Sequence, residues 1–220
     1  MGVQSVVCLL LVVAATTYAQ KPCCYPDQFE ISEGRQVGMD RAGKGSAIYE
    51  TCKLAFDYTN KRIAKIGDRI EDGRTMDFQV IYDFKDGAEY RLEPKMQRCE
   101  KLRLAGPISH CVPENATFGQ SMYLGDNKLT IDVFYVAYKT ERGAGQGSLS
   151  VTQGDCLPSS FLTSGVEGDV SYMELAGYFN YVSGIKNPSE YFTVPDYCPT
   201  MFSNGKEPTM FDTLPDMMLV

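Results

Sequence analysis

The chain has no tryptophan, one histidine and no surplus of positive charge, and each absence narrows what it can do. Its formal net charge of −7 excludes a nucleic-acid partner, because binding a phosphate backbone needs a clustered cationic surface that displaces counterions. The single histidine, His110, stands next to Cys111. Neighbours on an extended chain point to opposite faces, so the two do not form a nucleophile and its base. No Gly-x-Ser-x-Gly elbow, His-Glu-x-x-His zinc motif or phosphate loop occurs, and none of the acidic residues is marked out as half of a catalytic pair. The expectation is a protein that binds rather than catalyses. Asp83-Phe84-Lys85-Asp86-Gly87 lacks the ligand spacing of a calcium loop. No internal repeat, heptad, lipid-anchor signal or transmembrane segment is found.

What is present begins with a leader. Met1 to Gln20 carries no charge and contains the apolar run Val6 to Ala15. That is too short for a spanning helix of about 20 residues but suits the apolar stretch of about 7 to 15 residues in a signal peptide. Thr17-Tyr18-Ala19 supplies the small residues, so 1–19 is read as a signal peptide. Residues 20–199 are read as one domain, and 200–220, mixing Pro208 and Pro215 with Met201, Met210, Met217 and Met218, as a partly disordered tail. Cys8 leaves with the leader. Cys23, Cys24, Cys52, Cys99, Cys111, Cys156 and Cys198 remain, spread as structural bridges in an oxidising compartment are. Seven is odd, so one is left over, and spacing alone leaves the pairing open. Asn115-Ala116-Thr117 is a glycosylation sequon, which places Asn115 in an exposed loop; Asn187-Pro188-Ser189 fails on its proline.

Period-two alternation dominates the remainder and predicts strands. Ile48, Glu50, Cys52, Leu54, Phe56 and Tyr58 share one face of the first. Met76, Phe78, Val80, Tyr82 and Phe84 share one face of the second, which Lys85-Asp86-Gly87 turns into a hairpin continuing through Tyr90 and Leu92 to Pro94. Leu129 to Tyr138 is apolar on both faces, with Ile131, Val133 and Tyr135 against Phe134 and Val136, so it is covered twice or lines a cavity. Val170 to Val182 reads as a strand bent at Gly177. Gly34 to Gly45 and Arg142 to Gly147 read as flexible loops. The load of 14 Tyr and 11 Phe suits a curved sheet with a lipid-sized pocket, where each buried methylene contributes about 0.8 kcal/mol.

Several segments resemble the ependymin-related family in order and spacing: Cys23-Cys24-Tyr25-Pro26, Phe56-Asp57-Tyr58-Thr59-Asn60-Lys61-Arg62, Tyr82-Asp83-Phe84-Lys85-Asp86-Gly87, Cys99-Glu100-Lys101, Pro113 to Phe118, Asp155-Cys156-Leu157-Pro158 and Gly184 to Ser189, with Cys198 beyond. The resemblance implies a mainly β fold similar to lipoprotein carriers of the LolA type, two curved antiparallel sheets around a hydrophobic pocket with minor helix, assembled as a homodimer. It implies a secreted or lysosomal glycoprotein with lipid binding, calcium binding and cell-matrix contact, and no catalytic residues. It also implies Cys23 bonded to Cys156 and Cys99 to Cys198. Vertebrate members have a further pair that this chain lacks, while Cys52 and Cys111 have no counterparts there. These two are therefore expected to pair with each other, leaving Cys24 as a spare thiol able to link chains. Leu54, Phe56, Phe78, Val80, Tyr82, Ile131, Val133 and Tyr135 are the candidate pocket. The alternative reading is a structural extracellular-matrix or biomineral-associated acidic calcium-binding protein.

Overall fold

A computed structural model describes residues 21–104, 106–139 and 143–203; the leader and the tail from 204 onward lie outside them. The described chain is built almost wholly from antiparallel strands: β1 (Gln28–Arg41), β2 (Lys44–Asp57), β3 (Arg62–Glu71), β4 (Arg74–Asp83), β5 (Ala88–Glu93), β6 (Arg98–Arg103), β7 (Thr117–Leu124), β8 (Leu129–Lys139), β9 (Gly143–Thr152), β10 (Pro158–Glu167) and β11 (Val170–Ser183). A short helix, α1 (Pro188–Phe192), and one 3-10 turn at Pro94–Met96 supply the minor helix expected. The two expected sheets are the wings of one continuous sheet, ordered β6-β5-β4-β3-β2-β1-β11-β10-β9-β8-β7. The chain meanders outward from β1 to β6, crosses to the far edge through residues 104–116, and meanders back until β11 closes on β1.

The turns follow the local chemistry. Asp83 Oδ1 accepts from the backbone N–H of Lys85 (3.0 Å) and Asp86 (3.1 Å), and Gly87 takes φ +60°, as the Asp-Gly signal anticipates. Between β2 and β3 the motif Asp57-Tyr58-Thr59-Asn60-Lys61-Arg62 is an anchor for the turn. The buried Asp57 carboxylate accepts from Gln28 Nε2 (2.7 Å), from the Asn60 N–H and side-chain amide, and from Arg62 Nε (2.8 Å). Burial alone would raise its pKa, but these donors hold it below the ordinary carboxylate value.

Both glycine-rich segments read as loops are strands. Gly34 to Gly45 forms most of β1 and the start of β2, joined by a two-residue turn at Ala42 and Gly43. Gly143 to Gly147 opens β9; Arg142 lies outside the described residues. Glycine is required there because the strands close tightly: a Cβ at Gly147 would strike the Leu162 carbonyl of β10. Nor does Gly177 break β11. The irregularity falls later, where Asn180 takes φ +56° and the register with β1 shifts between Glu30 and Ser32.

One face of the sheet is the core. Phe29, Ile31, Leu54, Phe56, Ile63, Tyr82, Phe134, Val136, Leu149, Val151, Phe161 and Ala176 pack as one cluster from both wings. Tyr25, Ile108 and Val112, from the N-terminal segment and the crossover, fill it. We call this the inner face.

Candidate ligand-binding face

Disulfides fix the segments that close both faces of the sheet. Cys23 is bonded to Cys156, Cys99 to Cys198, and Cys24 to Cys111. The expected Cys52–Cys111 pairing is therefore wrong, and Cys24 is not a spare thiol. The reason is local. Cys23 and Cys24 are neighbours on an extended segment, so their side chains leave on opposite sides and reach different partners. Cys24 forms a β-bridge with Cys111, flanked by hydrogen bonds from the Tyr25 N–H to the His110 carbonyl and from the Val112 N–H to the Cys23 carbonyl, both 2.8 Å. Cys52 instead keeps its thiol, buried on the inner face of β2 with Sγ 3.7 Å from Glu33 Oε2. His110 is stacked on Tyr58 at 3.8 Å, with Nε2 3.1 Å from Asp27, a packing role away from any nucleophile.

On the inner face, Leu54 and Phe56 are fully buried, Tyr82 nearly so, and Val80 packs against them; Phe78 lies beneath the Arg69 guanidinium at 5.6 Å. These five candidate pocket residues thus belong to the packed core or lie against a charged side chain. Between this cluster and a smaller one of Val37, Ile48, Val170 and Tyr172 runs a belt of buried charge. Lys65 Nζ is 2.7 Å from Glu33, and Arg35 reaches Glu50 (2.8 Å) and Glu174 (2.6 Å). Arg69 Nε donates to Glu50 at 2.6 Å. Burial opposes the charge on Glu50, yet Arg35, then Arg69 and Lys65, pull its pKa down to about 2. Burial likewise opposes Arg35, and Glu174 and Glu50 raise its pKa well above the usual value.

The other candidate residues, Ile131, Val133 and Tyr135, alternate with the inward Phe134 and Val136 and so lie on the opposite, outer face. Ile131 and Val133 are buried there, but Tyr135 is 52% exposed. The outer face divides into two parts. Over β2 to β6 it is covered: Ala55, Ala64, Ile81 and Leu92 pack with Tyr191 of α1 and with Ile185, Phe192, Val194 and Cys198, a segment held to β6 by the Cys99–Cys198 bond. Arg62 stacks on Phe192 at 4.0 Å, and Tyr191, buried beside Glu30, has its pKa raised to about 12.

Between this cover and the buried Ile131 and Val133, a row of the outer face stays exposed among the described residues. Strand register aligns Ile70, Tyr49, Gln36, Leu175, Leu162, Ser148 and Tyr135 in one row from β3 to β8. The row is roughly 29 Å long at about 4.8 Å per strand. Its five large apolar members are 43–52% exposed. At one end lies a groove of about 550 Å³ lined by Tyr135, Leu162, Met173, Ser148, Gln146 and Asn115. Nearer the middle, a second of about 340 Å³ runs between Phe179, Ile66 and Glu190 of α1. No sequence signal marked Leu162, Leu175 and Tyr49 as exposed, since the pattern alone does not say which apolar face turns outward.

For calcium the donors do not fit. Among the described residues the one group of three ligating side chains in mutual reach is Cys24, His110 and Cys111, whose two sulfurs are joined to each other. It offers no convergent carboxylates, whereas calcium takes 6–8 oxygen ligands.

Comparison with known proteins shows the family of the chain. The model of the Ependymin family matches residues 72–198, more than half of the chain. Development-specific protein LVN1.2 of Lytechinus variegatus is 30% identical over 161 residues, covering 66% of this chain and 84% of that protein. Ependymin-related protein 1 of Haliotis asinina is 27% identical over 199 residues, covering 86% and 96%. Among solved structures, a LolA superfamily protein from Nitrosomonas europaea is a loose likeness at 9% identity and a TM-score of 0.30, covering 74% of this chain and 89% of its own. On the family match and the relatives together, the chain belongs to the ependymin family.

Proposed function

We propose that this chain is a secreted glycoprotein that binds an apolar, lipid-type ligand on the open part of its outer face. One observation carries the reading: the in-register row of Ile70, Tyr49, Leu175, Leu162 and Tyr135 stays substantially exposed while the apolar patch of Ala55, Ala64, Ile81 and Leu92 on the same face is covered. Exposed apolar surface on this scale marks a contact site. A hydrocarbon chain laid along the row loses water contact at roughly 25 cal/mol per Å² of apolar surface covered and needs no charged anchor, which the row does not provide. Three disulfides support export to an oxidising compartment, and Asn115 is exposed in a turn, open to glycosylation. Among the described residues no helix is long and apolar enough to cross a membrane.

The test is organic extraction of protein secreted by animal cells, followed by mass spectrometry of the extract and titration with a fluorescent fatty acid. Leu162→Glu with Leu175→Glu changes two exposed positions without touching the core. The expected result is co-purified lipid and saturable uptake that the double variant loses. No lipid and no uptake would refute the reading.

A second copy of the chain is the partner that β7 favours. This edge strand, Thr117–Leu124, carries no charged residue and exposes Met122, Tyr123 and Leu124, whereas the opposite edge β6 presents Arg98, Glu100, Lys101 and Arg103. Uncharged edges pair with other edges, so antiparallel β7–β7 pairing would join two sheets into one. Sedimentation should show a dimer that Met122→Lys with Leu124→Lys dissociates; an unchanged dimer would place the contact elsewhere.

A further inference from the structure

The groove of about 550 Å³ at the end of the apolar row has an asparagine in its wall, Asn115, and Asn115 is the acceptor of the chain's one sequon. We infer that this groove seats the glycan attached to Asn115, with the first sugar stacked on the Tyr135 ring, so that the glycan shields one end of the apolar row. The inference rests on the secreted-glycoprotein reading above.

Three features of the site support it. Thr117, the third residue of the sequon, is the direct cross-strand partner of Tyr135, so the attachment point and the ring are fixed together by backbone register. The ring is also backed by the chain. Gly119 is the extra residue of a bulge between Phe118 and Gln120, and a Cβ there would run into the Tyr135 ring. The phenol thus fills the space a side chain at 119 would occupy. With half its surface exposed, it also lines the groove. An electron-rich aromatic face accepts the C–H edges of a sugar ring. Lastly, the lining alternates in character as a pyranose does. Tyr135, Leu162 and Met173 offer apolar surface, while Gln146, Ser148 and Ser164 offer amide and hydroxyl groups to sugar hydroxyls. A purely hydrocarbon ligand would leave those polar groups unused.

The experiment uses the full chain secreted from animal cells. Peptide mass spectrometry first establishes that Asn115 is occupied. The native protein is then treated with the amidase that cleaves N-glycans from asparagine, and the rate of release is compared between wild type, Tyr135→Phe and Tyr135→Ala. Tyr135→Phe, which keeps the ring, should match wild type. Tyr135→Ala should release roughly threefold to tenfold faster, the factor lost with one aromatic contact of ordinary strength. Because the alanine variant also uncovers Gly119, wild-type protein carrying isotope-labelled glycan provides a second readout that does not depend on its folding: nuclear Overhauser contacts between the first sugar and the Tyr135 ring protons. Equal release rates in all three proteins, or a folded wild type with no such contacts, would overturn the inference. So would an empty Asn115, and fatty-acid uptake by the same material would then show that the ligand reading stands without it.

Discussion

Glu50 is the residue on which the buried belt can be tested most sharply. Its carboxylate lies between Arg35 at 2.8 Å and Arg69, with its side chain 4% exposed, so solvent screening is weak. A carboxyl lowered from 4.5 to about 2 contributes about 3 kcal/mol of folding stability while ionised in both states. Its folded pKa is depressed. The contribution is therefore fully present above the unfolded value of 4.5 and is lost as pH falls toward about 2. Glu50→Gln keeps the shape and removes the charge, taking from Arg35 one of its carboxylate partners and from Arg69 the carboxylate it donates to. Urea unfolding followed by circular dichroism, disulfides intact, should show the variant about 3 kcal/mol less stable near neutrality. The gap should close as the pH approaches about 2, where wild-type Glu50 is itself protonated. Asp57, also depressed, titrates in both proteins, so the difference between the two curves isolates Glu50. A gap that stays constant from about pH 6 to about pH 2 would refute the assignment of Glu50 as a charged partner of Arg35.

The disulfide pattern predicts that, Cys8 apart, one thiol per chain reacts with an alkylating reagent, and only after unfolding. Cys52→Ala should abolish that signal, and Cys24→Ser should add reactive Cys111; fast labelling of Cys52 in the native protein would contradict its burial. Gly147→Val, whose side chain would meet the Leu162 carbonyl, should cost roughly 2 to 3 kcal/mol in urea denaturation, and an unchanged midpoint would show that β9 and β10 are not so close. Cys198→Ser opens a bond that spans 99 residues of sequence and should cost about 2–5 kcal/mol. It should also make the chain between Ser183 and Cys198 the first site of limited proteolysis and raise binding of a hydrophobic dye as Ala55, Ile81 and Leu92 lose their cover; an unaltered cleavage pattern would show that packing alone holds that segment.

The sequence made β2, β4 and β8 legible because alternation is a property of the strand itself, and it placed the Asp-Gly turn and the exposed sequon by local chemistry. It misread Gly34 to Gly45 and Gly143 to Gly147 because the glycines there answer to neighbouring strands, which a one-dimensional pattern does not show. The buried belt was half visible. Glu50 and Cys52 stand on the same alternating face as Leu54 and Phe56, and a charged residue on an apolar face is the mark of a buried pair, but its partners Arg35, Arg69 and Lys65 come from other strands. That the candidate pocket residues divide between two faces was hidden for a related reason. β8 is apolar on both faces, so nothing in its own residues says that Phe134 and Val136 point inward and Tyr135 outward; that is decided by which wing it packs against.

On the proposed reading, the same asymmetry favours a ligand on the outside of the sheet. A carrier with an internal cavity would have to keep Leu54, Phe56 and Tyr82 accessible, yet Tyr25, Ile108 and Val112 are pinned over them by two disulfides that anchor the N-terminal segment to Cys111 and to Cys156. Opening that face would also bring water to the buried pairs of Lys65 with Glu33 and of Arg35 with Glu50 and Glu174 beside it. The outer face needs no such opening. Over β2 to β6 the segment ending at Cys198 covers it permanently, and where that cover stops, at Phe179 and Glu190, the exposed row begins. A ligand can therefore join and leave along Tyr49, Leu175 and Leu162 without any rearrangement of the core, so its exchange should follow ligand concentration and solubility and stay insensitive to mild denaturant well below the unfolding midpoint.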